Sequence, residues 1–80
     1  MDNHSMVILL DYYGGMLTDK QYKCMDLHFN EDLSLAEIAE QVGISRQGVH
    51  DLIRRSQAIL LNLEDKLGFV AGEKSERKVR

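Results

Sequence analysis

The stretch from Arg46 to Arg55 holds the side chains with the most readable chemistry: Arg46, Gln47, His50, Asp51, Arg54 and Arg55. They fall on the outward positions of a single helix. An arginine fork matches the acceptors of guanine, and a glutamine amide matches adenine. His50 and Asp51 can donate to or accept from bases. Arg54 and Arg55 suit phosphate, which positions a protein without reading sequence. This is the chemistry of recognition, not of bond making. Thr18 and Lys20 are further candidates for backbone phosphate, although a capping role alone accounts for Thr18.

No catalytic or metal-binding set competes with that reading. His4, His28 and His50 have no partner histidine four residues away and no neighbouring cysteine, so no metal is expected. Asp26 and His28 lie two apart, on different helix faces, and cannot act as a pair there. There is no phosphate loop and no nucleophile motif, and no acid and base converge. The expectation is no enzyme and no cofactor. Cys24 is the single cysteine, so no internal disulfide can form. It fits a reducing compartment and reads as a small buried apolar residue.

The elements that position the six residues form a helix-turn-helix between Leu35 and Arg54. Such a motif needs a small residue where its two helices cross, and Ala39 supplies it. It needs a turn residue for which positive φ is cheap, and Gly43 supplies that. Ile38, Val42, Ile44, Val49 and Leu52 are the apolar residues that lock the helices together. The second helix then enters the major groove with its first turns facing base edges.

Around the motif the chain reads as helix throughout. Ser5 precedes an apolar run, Met6 to Leu10, that with Tyr12 and Tyr13 predicts a first helix of about two turns, buried nearly all round. Asp11 is expected on its surface. Gly14 and Gly15 stop it. Thr18 and Gln21 have the capping-box form and open a second helix, whose core face is Tyr22, Met25 and Phe29, with Cys24 and His28 beside them. Ser34 and Glu37 form another such box and open a short third helix, Leu35 to Gln41. Ser45 caps a long fourth helix that runs from Arg46 to Leu67, with Gly68 as its terminator. Along it Val49, Ile53, Ser56, Leu60, Leu63 and Leu67 make a heptad seam, widened by Leu52 and Ile59. The seam outruns a recognition helix. Its second half must fold back on the first helix, pair with another chain, or do both.

The predicted fold is therefore all-α: a small helical bundle with a helix-turn-helix and a long C-terminal helix. The chain of 80 residues makes one domain, placed at 1–70, followed by a flexible charged tail at 71–80. A core of this size is marginal, so a homodimer through the long helix is expected. The apolar run is too short to cross a bilayer, so no membrane insertion is expected and the cytoplasm is the expected location. The net charge of −3 argues mildly against nucleic acid, but it is unevenly spread. Residues 1–44 hold eight acids and two bases, whereas residues 45–80 hold eight bases and five acids. The basic half begins where the recognition helix begins. Residues 45–58 carry three arginines against one aspartate, so a monomer binds weakly and a dimer is the usual remedy.

Two resemblances arise at these residues. Leu17-Thr18-Asp19-Lys20-Gln21, Ser34 to Glu40 and Ile44-Ser45-Arg46 are similar to the fourth region of bacterial sigma factors, which reads promoter DNA. A closer likeness is to the bacterial YlxM family of helix-turn-helix proteins. It is carried by Asp11-Tyr12-Tyr13-Gly14, Leu17-Thr18, Lys20-Gln21, Ser34-Leu35, Glu37-Ile38-Ala39-Glu40 and above all Ser45-Arg46-Gln47 with Val49, Asp51, Ile53 and Arg55. Leu60 and Glu64-Asp65-Lys66-Leu67 extend it. The likeness covers about residues 6–67. Gly48 stands where the family often has alanine, and His50 where it often has tyrosine. The resemblance implies a part in the signal recognition particle pathway, with the particle RNA or its GTPases as partners. Two classes of function follow. One is a regulator that binds DNA or particle RNA. The other is a protein-interaction module, in which the acidic first half and the heptad seam dock a GTPase or another partner.

Overall fold

The computed structural model describes residues 3–71 and is all-α. Its elements are α1 (Asn3–Tyr13), a 3-10 turn (Gly14–Met16), α2 (Asp19–Phe29), α3 (Leu35–Val42) and α4 (Arg46–Leu67). The expected charged tail, apart from Ala71, lies outside the described residues.

α1 starts earlier than the apolar run and reaches 11 residues, three turns rather than two. Ser5, which precedes the apolar run, lies within the helix. The helix is also more one-sided than its composition suggests. Met6, Leu9, Leu10 and Tyr13 are buried, Val7 and Ile8 are half-buried, and Asp11 and Tyr12 face outward.

The 3-10 turn brings the backbone of Gly14 against the ring of Tyr22. A Cβ at Gly14 would sit 2.6 Å from Tyr22 Cε2, so only glycine permits the approach. Tyr22 consequently covers the turn and remains 41% exposed, where the helical spacing had assigned it to the core. The core face of α2 is instead Cys24, Met25 and Leu27. Phe29 is half-buried and packs on that core. Burial pushes the Cys24 thiol up, partly offset by the charge of Lys20.

His28 fastens the loop that follows. Its Nδ1 donates to the Leu33 carbonyl at 3.2 Å, and its ring meets Phe29 edge-on. The Asp26 carboxylate accepts from the Asn30 amide at 2.8 Å. Both side chains thus close the end of α2, and neither is available to the other as a catalytic partner.

α4 packs on all three other helices. Val49, Ile53, Ser56 and Leu60, the first four seam positions, are buried. The seam is therefore used inside the chain. The Ser56 hydroxyl donates to the Leu52 carbonyl at 2.7 Å, which satisfies the single buried polar side chain of the described core. Toward the end of the helix the seam is less covered: Leu63 is half-buried and Leu67 is 50% exposed.

A polar clamp joins the two ends of the fold. The Tyr13 hydroxyl donates to Glu64 Oε1 at 2.6 Å and accepts from the Phe69 N–H at 3.0 Å. Glu64 also accepts from the backbone N–H groups of Val70 and Ala71. The Phe69 ring stacks on Tyr13 with 6.0 Å between centroids. Burial and the Glu64 hydrogen bond both raise the Tyr13 phenol above its ordinary range. The clamp turns the chain sharply after Gly68, whose φ of 64° ends α4 in the left-handed region.

Candidate nucleic-acid interface

The interface is built from the turn outward. Ser34 caps α3: its hydroxyl accepts from the Glu37 N–H at 3.2 Å, and the Glu37 carboxylate accepts from the Ser34 N–H at 2.9 Å. Those bonds hold the Glu37 carboxyl below its usual range. α3 ends at Gly43, where φ is 81°. A side chain is disfavoured there by conformation rather than by space, since nothing crowds its Cβ position. The N–H groups of Gly43 and Ile44 both close on the Ala39 carbonyl, at 2.9 and 3.3 Å. Ala39 therefore serves the turn with its backbone and the crossing with its small side chain. Ile38 and Val49 are fully buried, with Val42, Ile44 and Leu52 packed around the core. These are the residues the motif required.

Ser45 opens α4, its hydroxyl accepting from the Gly48 N–H at 2.9 Å. Gly48 also has a steric role. A Cβ there would lie 3.1 Å from Ser45 Oγ and 3.5 Å from Ile44 Cδ1. An alanine there would fit once the capping hydroxyl gave way by a few tenths of an ångström.

With Val49, Ile53 and Ser56 turned inward, helical geometry turns Arg46, Gln47, His50, Asp51, Arg54 and Arg55 outward, and all six are exposed. Arg46, His50 and Arg54 succeed one another at four-residue intervals and form one row. Gln47 and Asp51 form the next. The Gln47 amide reaches Asp51 Oδ1 at 3.4 Å, and His50 Nδ1 lies 4.0 Å from the same oxygen. The single carboxylate of the face is thus drawn toward its neighbours. Among the described residues Arg46, Arg54 and Arg55 form no ion pair, so three guanidinium groups stand open to solvent on one helix.

Two shallow depressions flank this face. One is lined by Leu35, Arg46, Gln47 and His50, and so joins the start of α3 to the start of α4. The other is lined by Asp51, Arg54, Arg55 and Ala58. Leu35 and Ala58 are site residues that sequence reading missed. Ala58 follows Arg54 by four residues and could have been found by continuing the row. Leu35 is brought in by the turn, and no local pattern announces it. Thr18 is committed to its cap, its hydroxyl accepting from Gln21 at 3.2 Å. Lys20 is exposed on α2, outside both depressions.

No group of three or more histidine, cysteine or acidic side chains able to hold a metal ion occurs among the described residues. No helix among them is long and apolar enough to cross a membrane.

Residues 2–80 match the model of a protein family, UPF0122, described as "Putative helix-turn-helix protein, YlxM / p13 like". A relative from Desulforamulus reducens, itself named only as a UPF0122 protein, is 47% identical over 75 residues, which is 94% of this chain and 64% of the relative. One from Acetivibrio thermocellus is 51% identical over 84% of this chain and 57% of its own length. Another, from Symbiobacterium thermophilum, is 47% identical over 99% of this chain and 72% of its own. The chain thus spans about three-fifths of the length of the first two relatives.

Proposed function

The chain belongs to the YlxM/p13-like helix-turn-helix family, and from that premise we propose that it is a regulator that binds nucleic acid through the outward face of α4. The observation that carries the reading is the trio Arg46, Arg54 and Arg55, unpaired on the exposed face of the motif's second helix. A guanidinium left without a carboxylate partner is suited to phosphate and guanine, both of which it contacts through two parallel hydrogen bonds. In this reading Arg46 and Gln47, in the first turn, contact bases. His50 and Asp51 adjust that contact. Arg54 and Arg55 hold phosphate. The target is DNA or the signal recognition particle RNA, and the protein acts in the cytoplasm as part of that particle's pathway.

The test is titration of labelled duplex DNA and of signal recognition particle RNA at two salt concentrations. Each phosphate neutralised steepens the dependence of log affinity on log salt by about 0.9 on duplex DNA. Three arginines against Asp51 predict a shallow slope and weak binding by a single copy. Absence of salt-sensitive binding to both ligands would contradict the reading.

A second reading has its own support. The surface outside α4 is acidic, with Asp19, Glu31, Asp32, Glu37 and Glu40 exposed. In that reading the chain docks a signal recognition particle GTPase or another basic protein, and nucleic acid is not its ligand. Retention of the purified GTPases at low salt, by a protein that binds neither nucleic acid, would favour it. The homodimer expected through the long helix is left with the outward face of α4 and the exposed end of the seam at Leu67, since the seam's first four residues are buried inside the chain.

A further inference from the structure

We propose that a second copy of this chain packs antiparallel on the outward face of the distal half of α4, along Arg54, Ala58, Leu61 and Asp65. All four are exposed, Leu61 by 39%. Their spacing of four, three and four residues makes a straight stripe on an α-helix, on the side away from the buried seam. α4 therefore carries two heptad rows. The inner one is consumed by the fold, and the outer one has no covering element among the described residues.

The stripe is complementary to itself. Arg54 and Asp65 have the same midpoint as Ala58 and Leu61. Turning a second helix about that midpoint sets Arg54 opposite the partner copy's Asp65 and Ala58 opposite the partner copy's Leu61, and the same again by symmetry. A small side chain then faces a large one, which lets two helices approach to roughly the ordinary 8–10 Å. Opposite charges face each other at both ends, about 16 Å apart along the axis. A parallel pair would set Arg54 on Arg54 and Asp65 on Asp65, so charge selects the antiparallel arrangement. Among the described residues neither Arg54 nor Asp65 has an ion-pair partner within the chain. Three turns of helix per copy make a small, isologous interface, of the transient class.

This arrangement has a consequence that rests on the nucleic-acid reading. In this register the partner copy's Asp65 engages Arg54, one of the residues assigned to phosphate, and the partner helix ends before it reaches Arg46 and Gln47. Arg54 is then withdrawn from phosphate, which weakens the contact with nucleic acid. The dimer is a storage form, and the single copy binds nucleic acid.

Sedimentation equilibrium of the full chain without nucleic acid tests the interface by itself. The account expects a concentration-dependent dimer that weakens as salt rises. Asp65→Arg alone, or Arg54→Asp alone, places like charges opposite one another twice and should weaken association about tenfold or more. The double variant Arg54→Asp with Asp65→Arg restores opposite charges and should recover it to within about threefold. Circular dichroism of each variant checks that the helices persist. A wild-type chain that stays monomeric at millimolar concentration would overturn the proposal. So would a dimer insensitive to both single exchanges, or a double variant as weak as the singles. The masking is read separately, by adding duplex DNA to the wild-type dimer. A dimer that survives saturating DNA overturns the masking and leaves the interface standing.

Discussion

Val49, Ile53, Ser56 and Leu60 line one side of α4 and are buried; Arg46, His50, Arg54 and Leu61 line the other and are exposed. The two sides belong to one unbroken helix of 22 residues and differ only in what faces them. The inner side meets α1, α2 and α3, so every change there alters packing. The outer side meets solvent, so its unpaired charges are free for a ligand. On the proposed reading the helix separates folding from recognition by rotation alone, with no change of secondary structure.

The largest expected effect lies at the inner side. Ile38→Ala on α3, which packs on α4, or Leu60→Ala on α4 itself, removes a fully buried branched side chain. Either should cost about 2–5 kcal/mol in urea unfolding. For a domain this small that approaches its whole stability. A loss under about 1 kcal/mol would show that the inner side is less tightly packed than its burial implies.

Next comes the turn that sets the outer side at its angle to α3. Gly43→Ala forces a Cβ into left-handed backbone and should cost roughly 1–2 kcal/mol. Ser45→Ala removes the cap of α4 and should cost about 1 kcal/mol. Both changes should also weaken nucleic-acid binding, because they loosen the turn that carries Arg46 and Gln47. Binding unchanged in Gly43→Ala would mean that the face does not depend on the turn's geometry.

A smaller effect concerns acid. Glu37 has a folded pKa below its unfolded value, so its capping bonds stabilise the native state fully above the unfolded value, about 4.3. That contribution fades as pH falls through the lower folded value. Glu37→Gln keeps a hydrogen-bonding amide but loses the titration. Its stability curve should be flatter than the wild type's below about pH 4, measured by thermal unfolding across that range. A parallel pair of curves would place the acid sensitivity elsewhere.

What the sequence made legible follows from the range of the forces involved. The helix-turn-helix is specified by contacts within a few residues: Ser34 with Glu37, Ser45 with Gly48, Gly43 with Ala39. Each leaves a local signature, and α4 begins and ends where Ser45 and Gly68 indicate. The outward exposure of the six site residues follows from the same periodicity. The misreadings arise where distant segments decide. Tyr22 has core spacing on α2, but Gly14 lacks a side chain, so the ring covers the turn instead. The clamp between Tyr13 and Glu64 joins residues 51 apart, and no periodicity marks it. Leu67 continues the heptad seam, yet it is half exposed at the end of α4.

The most direct test of the separation between the two sides is the double variant Arg46→Ala with Arg54→Ala, in which stability and nucleic-acid affinity are measured on the same preparation. Both residues are exposed and form no ion pair among the described residues, so unfolding free energy should change by less than about 0.5 kcal/mol. Affinity for whichever of duplex DNA or particle RNA the wild type prefers should fall about a hundredfold, as loss of two charged contacts predicts. Intact stability with lost binding would bear out a recognition face carried on an independent fold. Intact stability with unchanged binding would contradict it.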